Sequence, residues 1–204
     1  MNIKKFYELI FDTGCIKFGD FTLKSGIKSP IYVDFRVIVS NPASLKEIGE
    51  IMGIKAKELN PDRLGAIPYA GLPLGVSASM SANIPLIYSR KEVKSYGTGK
   101  LIEGNFDKND NVLILDDIVT DGASKIEAIL PFKEAGMNVK DILVIIDREQ
   151  GGKKLLTDAG YTLHSLGTLT EIVDHLSDIN KISNEIKDKV KDFINQNQFK
   201  EIKI

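Results

Sequence analysis

Five short apolar runs, separated by stretches of helix length, constrain the fold of this chain more than any other feature. They lie at residues 64–67, 85–88, 112–115, 142–146 and 162–166, and helices are predicted between them at 72–82 and 123–135. The runs show little alternation between apolar and polar residues, which is typical of strands buried on both faces. The pattern predicts an α/β fold in which helices cover both faces of a parallel sheet.

Apolar residues at helical spacing predict a helix at each end of the chain, and an alternating run at 31–35 predicts one more strand. Asn41 followed by Pro42 has the residue types preferred at an N-cap and a first helical turn, so a helix is expected to begin there. The helical positions are Ile3, Phe6, Tyr7, Ile10 and Phe11 at one end and Ile182, Ile186, Val190, Phe193 and Ile194 at the other.

Composition limits the partners of the chain. The 204 residues carry a net charge of -1, which argues against a broad surface for nucleic acid or an anionic membrane. No run approaches the roughly 18 apolar residues of a membrane span, and the first residues lack the apolar core of a signal peptide, so a cytoplasmic protein is expected. Cys15 is the one cysteine, which excludes an internal disulfide and predicts a small core residue.

The most informative stretch is 112–124, where two acids follow an apolar run. The apolar run is predicted to form a buried strand, and Asp116 and Asp117 are predicted to follow its C-terminal end, at the edge of a parallel sheet where ligands bind. A loop of small and hydroxyl-bearing residues then leads into a helix, whose N-terminus offers backbone N–H groups to a phosphate. Carboxylates accept hydrogen bonds, so the acids suit sugar hydroxyls or hydrated Mg²⁺. The alternative is an ordinary strand end and turn, and neither a Walker loop nor G-x-G-x-x-G is present.

This stretch resembles the phosphoribosyl pyrophosphate (PRPP) motif of type I phosphoribosyltransferases. By that resemblance Asp116 and Asp117 hold the ribose hydroxyls of PRPP. The loop that would hold its 5'-phosphate consists of Thr120, Asp121, Gly122, Ala123 and Ser124. The resemblance implies one phosphoribosyltransferase domain over 1–204, with an N-terminal hood region at about 1–40, a core at about 41–170 and a C-terminal helical segment at about 171–204.

Four further segments, in order between about residues 20 and 170, resemble orotate phosphoribosyltransferase, including the corresponding domain of UMP synthase. They lie at 21–32, 68–73, 90–104 and 147–152. The resemblance implies transfer of the phosphoribosyl group from PRPP to orotate in pyrimidine biosynthesis. It also implies a Mg²⁺ cofactor carried mainly by PRPP, with contact through water near Asp116 and Asp117.

The segment 90–104 is basic and rich in glycine, which is typical of a surface loop or of an exposed run of charges. By resemblance it is the catalytic loop, which reaches the active site of the neighbouring subunit in a homodimer. Lysines there could neutralise a departing pyrophosphate. The implied PRPP contacts are Arg90, Lys91, Lys94 and Tyr96, and the implied catalytic residues are Lys91, Lys94 and Asp117.

Arg148 follows the run at 142–146 and is either an ion-pair partner of its acidic neighbours or a ligand for a carboxylate. The resemblance assigns it to orotate. The other residues assigned to orotate are Lys24, Ile31, Tyr32 and Thr120. Tyr69 and Ala70 correspond to the pyrophosphate-binding turn, which is otherwise an ordinary strand-to-helix connection.

Three residues depart from the pattern of the family. Ala70 stands where many bacterial members have Lys, and Tyr96 where many have His. Asp121 adds a negative charge to a phosphate loop, so its side chain is expected to point away from the phosphate.

Two other functions share parts of this pattern. A purine phosphoribosyltransferase would use the same PRPP site, but a neutral purine offers no carboxylate to Lys24 and Arg148. A PRPP-sensing regulator that binds RNA or DNA would need a basic recognition segment, and none is evident.

Overall fold

A computed structural model describes residues 2–23, 26–90 and 101–198 of the chain. The strands are β1 (Ile16–Thr22), β2 (Lys28–Val33), β3 (Arg63–Ala66), β4 (Leu86–Ser89), β5 (Ile102–Glu103), β6 (Asn111–Val119), β7 (Asn138–Asp147) and β8 (Thr162–Thr168). The α-helices are α1 (Ile3–Asp12), α2 (Pro42–Leu59), α3 (Gly71–Ala82), α4 (Ala123–Glu134), α5 (Gly152–Asp158), α6 (Leu169–Asp178) and α7 (Asn184–Gln196), and Phe35–Ser40 forms a 3₁₀ helix.

Six strands form the central sheet in the order β5-β4-β3-β6-β7-β8. Every pair is parallel except β4 with β5, which is antiparallel. All five apolar runs coincide with strands of this sheet to within one residue, so the predicted mostly parallel α/β fold is confirmed.

Both faces of the sheet are buried, which explains why its strands read as continuous apolar runs. Leu113 and Leu115 of β6 pack in a core cluster with residues of α1, α2, α3, α6 and α7. Val112 and Ile114 face the opposite side, where they pack in a second cluster with α4 and α5. Cys15 is buried in the first cluster, as predicted.

The N-terminal region forms a hairpin that the sequence only partly predicts. The strand expected at 31–35 lies instead at Lys28–Val33, and it pairs antiparallel with β1, which the sequence analysis missed. The strand ends early because Asp34 caps the 3₁₀ helix, its carboxylate accepting a hydrogen bond from the N–H of Arg36 at 3.0 Å.

The helix ends follow local sequence. Asn41 caps α2 as predicted, since its side chain accepts a hydrogen bond from the N–H of Ser44 at 3.2 Å and Pro42 begins the helix. At the C-terminal end the predicted helix begins too early, because it included Ile182. Ile182 lies between α6 and α7, and Ser183 caps α7 by accepting from the N–H of Ile186.

Across the described ranges, no helix combines the length and the apolar character that crossing a bilayer requires.

Helices α2 and α3 pack so closely that one contact point has room only for glycine. A Cβ atom placed on Gly49 would lie 2.0 Å from the Oγ atom of Ser77 and 2.7 Å from its backbone carbon. The Ser77 hydroxyl is itself held in place, because it donates to the carbonyl of Leu45 at 2.9 Å.

We expect Gly49→Ala to lower the free energy of unfolding by about 1 to 3 kcal/mol, because overpacking outweighs the roughly 1 kcal/mol that alanine gains as a helix former. Urea denaturation measures this change. Glu47→Ala, at an exposed position of the same helix, is the control and should stay within about 0.5 kcal/mol of the parent. A Gly49→Ala protein as stable as the parent would contradict the close packing.

Candidate active site

The two acids of the 112–124 stretch lie within β6 rather than after it. The prediction that the strand ends before Asp116 is wrong, because β6 runs on to Val119 and stays paired with β7. On its other side β6 loses its partner at this point, since the last residue of β3, Ala66, is opposite Leu115. The acids are therefore held in strand geometry but lie beyond the end of a neighbouring strand.

Asp116 is buried and is held at both carboxylate oxygens. Its Oδ1 atom accepts a hydrogen bond from the N–H of Asp117 at 2.9 Å, and its Oδ2 atom forms an ion pair with the Nζ atom of Lys125 on α4. Both side chains are less than a tenth exposed. This buried ion pair fixes the first acid of the site.

Asp117 is partly buried, and its Oδ1 atom accepts from the N–H of Ile118 at 2.8 Å. Burial raises the pKa of Asp117 to about 7, with a further contribution from the negative charge of Asp116 that the Lys125 cation partly offsets. Ionising this carboxyl therefore costs free energy in the folded chain. Perturbed carboxyls of this kind are often found at functional sites.

The predicted phosphate loop joins β6 to α4. Gly122 is the N-cap of α4, with φ of +85°, and provides no side chain to cap the helix. The side chain of Asp121 folds back onto this loop, and its orientation relative to a bound phosphate stays a prediction. Its Oδ1 atom accepts from the N–H of Ala123 at 3.1 Å, which is one of the backbone groups a phosphate would use.

The turn before α3 approaches the acid pair closely. A Cβ atom on Gly71 would lie 2.9 Å from the carbonyl oxygen of Leu115 and 3.2 Å from Oδ1 of Asp116. A residue with a side chain would push the turn away from the acids. The glycine thus allows Tyr69 and Ala70, the predicted pyrophosphate contacts, to lie beside the predicted ribose contacts.

A cleft of about 890 Å³ brings most of these residues together. The predicted PRPP residues that line it are Tyr69, Ala70, Arg90, Asp116, Asp117 and Ser124. Its lining does not include Thr120, Asp121, Gly122 or Ala123, which adjoin it through Ser124. Asp34, Arg36 and Lys125 also line the cleft, although no motif in the sequence indicates them.

Asp34 and Arg36 form a paired wall of the cleft. The Nε and Nη2 atoms of Arg36 donate to the two carboxylate oxygens of Asp34 at 2.7 and 2.8 Å. The guanidinium lowers the pKa of the Asp34 carboxyl. No motif indicated these two residues, but the alternation at 31–35 places Asp34 within a predicted strand and Arg36 directly after it.

Arg90 closes the base of the predicted catalytic loop. Its Nη1 atom lies 2.7 Å from Oε1 of Glu103, and its N–H donates to the carbonyl of Leu101 at 2.8 Å. The two ends of the 90–104 segment therefore meet beside the cleft. The predicted residues Lys24, Lys91, Lys94 and Tyr96 lie outside the described residues.

Arg148 is a buried cation beside the acid strand. It is 8% exposed, its N–H donates to the carbonyl of Val119 at 3.0 Å, and burial lowers the pKa of its guanidinium. Within the described ranges its Nε atom has no hydrogen-bond partner, although the atom is buried. The ion pair with Asp147 or Glu149 that was the alternative interpretation is not formed, because Asp147 accepts from the N–H of Glu149 and Glu149 from that of Thr170.

The two hairpin residues assigned to orotate do not line the cleft. Ile31 is buried in the core, and both its N–H and its carbonyl contact the hydroxyl of Ser29. Tyr32 packs on Phe21 with ring centroids 5.5 Å apart. Neither lines the cleft, whereas the next residue, Val33, does.

Comparison with known proteins shows which family the chain belongs to. No family model matches the chain. It is 39% identical over 167 residues to the orotate phosphoribosyltransferase of Pyrococcus horikoshii, a match that covers 81% of this chain and 90% of that protein. The chain belongs to the orotate phosphoribosyltransferase family.

Longer relatives of the orotate phosphoribosyltransferase family match over more of the chain. It is 40% identical over 192 residues to the bovine uridine 5'-monophosphate synthase, covering 93% of this chain and 40% of that protein. The structure of the Leishmania donovani UMP synthase matches with a TM-score of 0.88 and 34% identity, over 96% of this chain and 43% of that one. The chain thus spans less than half the length of these two relatives.

The donor set of this orotate phosphoribosyltransferase family member does not favour direct metal binding. The described ranges contain no group of three or more His, Cys, Asp or Glu side chains that could hold a metal ion. Asp116 already pairs with Lys125, so a divalent cation at that carboxylate would face a neighbouring positive charge. Asp117 has the more accessible carboxylate of the two.

The raised pKa of Asp117 predicts a pH-dependent stability. The folded chain binds this proton more tightly than the unfolded chain, whose carboxyl has the ordinary value of 3.8. The destabilisation is therefore absent below about pH 4, grows as the pH rises and is complete above about pH 7. We expect Asp117→Asn to stabilise the ligand-free protein at pH 8 by about 1 to 3 kcal/mol, since a tenfold difference in proton affinity corresponds to about 1.4 kcal/mol.

Urea denaturation at pH 8 and at pH 5 tests this expectation, and the advantage of Asp117→Asn should shrink at the lower pH. Glu47→Gln, an exposed carboxyl on α2, is the matched control and should follow the parent at both values. If Asp117→Asn is no more stable than the parent at pH 8, ionised Asp117 does not strain the fold.

Proposed function

We propose that the chain transfers the 5-phosphoribosyl group from PRPP to orotate, giving orotidine 5'-monophosphate and pyrophosphate in pyrimidine biosynthesis. The observation that carries this proposal is the buried Arg148 guanidinium, which has an unpartnered Nε atom and adjoins the acid strand. A buried cation of this kind calls for an anionic partner, and orotate carries a carboxylate that a guanidinium matches in bidentate fashion. Membership of the orotate phosphoribosyltransferase family supports the same activity.

Different groups of the described residues are proposed to bind different parts of PRPP. Asp117, with Asp116 beside it, accepts hydrogen bonds from the ribose hydroxyls. The backbone at the start of α4 receives the 5'-phosphate, and the turn at Tyr69 and Ala70 receives the pyrophosphate. In the reaction a bond forms between C1 of ribose and a ring nitrogen of orotate, which releases its proton. The bond from C1 to the pyrophosphate oxygen breaks, and its electron pair leaves with pyrophosphate.

Such a displacement develops positive charge on the ribose and negative charge on the leaving group, so charge stabilisation matters more than a protein nucleophile. Lys91 and Lys94 are proposed to neutralise the pyrophosphate, with Tyr96 in the same loop. Lys24 is proposed to assist Arg148 at orotate. The base of the loop, Arg90 paired with Glu103, lies beside the cleft and supports this placement.

We propose that Mg²⁺ enters on the pyrophosphate of PRPP rather than in a protein cage. The pairing of Asp116 with Lys125 supports this, since it leaves Asp117 as the acid that could contact the hydrated ion. The ion would supply charge neutralisation at the leaving group.

A homodimer is also proposed. The neighbouring helices α2 and α3 expose the large apolar side chains of Ile54, Val76 and Met80, the last 80% exposed. Val76 and Met80 are four residues apart on α3 and therefore share one face of that helix, and exposed apolar faces are typical of association surfaces. The reach of the 90–104 loop into a neighbouring subunit and a cytoplasmic location stay predictions.

The decisive experiment offers the protein Mg²⁺ and PRPP with orotate, uracil, adenine or hypoxanthine, and follows consumption of each base by chromatography. We expect orotate alone to be consumed, with pyrophosphate released in equal amount. Consumption of a purine with orotate untouched would indicate the purine enzyme instead. Consumption of no base, together with retarded migration of RNA or DNA in a gel, would indicate the PRPP-sensing regulator.

A further inference from the structure

Lys125 is a buried cation near a helix N-terminus, where positive charge is ordinarily unfavourable. It is the third residue of α4, in the first turn of the helix, where the partial positive charge of the helix N-terminus repels a cation. It is nevertheless only 7% exposed. An unpaired ammonium there would be costly, so its burial depends on the ion pair with Asp116.

The ion pair determines how Asp116 presents its carboxylate. Lys125 takes Oδ2 and the N–H of Asp117 takes Oδ1, so the group is held from α4 and from its own strand. On a third side lies Gly71, the first residue of α3, where a Cβ atom would approach Oδ1 of Asp116 to 3.2 Å. Each carboxylate oxygen has two lone-pair directions, so one acceptor direction on each oxygen remains for a ligand hydroxyl.

The same ion pair determines the charge of the cleft. Among the described residues, four acids and three bases line it, and two of the acids are adjacent in the chain. Two of the bases, Arg36 and Arg90, are paired with Asp34 and with Glu103, which leaves Lys125 as the counter-ion of the acid strand. Without Lys125 the cleft would present two bare adjacent carboxylates to a ligand that is itself an anion.

We propose that Lys125 is a positioning residue for PRPP, which orients the Asp116 carboxylate and cancels its charge so that an anionic sugar phosphate can approach the acid pair. The inference rests on the proposed function, because it concerns the same ligand. Lys125 lies just after the motif at 112–124, and its proposed role is exerted through Asp116.

Isothermal titration calorimetry of the whole chain with PRPP tests the proposal. Lys125→Met keeps the length of the side chain and removes its charge, and we expect it to raise the Kd of PRPP by at least about tenfold, equivalent to 1.4 kcal/mol. Lys125→Arg, which keeps the cation, should recover most of the affinity. The control is Lys133→Met at the other end of α4, where the side chain contacts Tyr161 instead of the cleft, and its Kd should match that of the parent.

A second variant separates charge cancellation from a direct contact with phosphate. In Asp116→Asn/Lys125→Met both charges are gone, so no bare carboxylate opposes the ligand, and we expect tighter PRPP binding than in Lys125→Met alone. A double variant that binds no more tightly than Lys125→Met would overturn the proposal. So would an unchanged Kd in Lys125→Met.

Two further outcomes are possible: the Lys125→Met protein does not fold, or the parent protein does not bind PRPP. If Lys125→Met does not fold, the double variant, which leaves no lone buried charge, carries the test. It should retain PRPP binding to within about tenfold of the parent, and complete loss would overturn the proposal. If the parent itself does not bind PRPP, the proposed function fails rather than the role of Lys125.

Discussion

The pairing of β6 with β7 continues past the end of β3, and the candidate active site depends on this difference in strand length. Up to Leu115 the strand β6 is a central strand with neighbours on both sides, and its side chains form the core. Beyond that residue the same strand carries two acids toward a cleft while β7 still holds its backbone in register. Rigid strand geometry thus reaches the site without a flexible connection. Arg148, the first residue after β7, donates its backbone N–H to the carbonyl of Val119 at the end of β6.

The electrostatics of the site work against the stability of the ligand-free fold. Burial and the neighbouring Asp116 raise the pKa of Asp117, and burial lowers the pKa of Arg148, so the ionised form of each costs free energy. Of Asp116, Asp117 and Arg148, Asp116 alone forms an ion pair within the described ranges, and its partner is Lys125. A ligand with hydroxyls for the acids and a carboxylate for the guanidinium would relieve both costs. The proposed substrates have these groups, since PRPP carries ribose hydroxyls and orotate carries a carboxylate.

The sequence predicts those features that are determined by residues close together in the chain. It does not predict those that depend on contacts between distant elements. Buried runs predict the strands because both faces of the sheet are covered, and Asn41 predicts a helix start because capping is local. The end of β6 could not be predicted, because pairing with β7 overrides the change from apolar to acidic residues. Lys125 was missed because its partner lies on another element, although a cation in a first helical turn was a usable signal. The hairpin strand β1 was missed for want of a strong alternation.

The buried Arg148 guanidinium is proposed to select a base that carries a carboxylate. Calorimetric titration of Arg148→Gln with orotate and, separately, with PRPP tests it most directly. Loss of a charge-assisted contact of about 1.5 to 3 kcal/mol should weaken orotate binding by roughly 10- to 100-fold, while the Kd of PRPP stays within about twofold. Unchanged orotate affinity, or an equal loss of affinity for both ligands, would contradict the account.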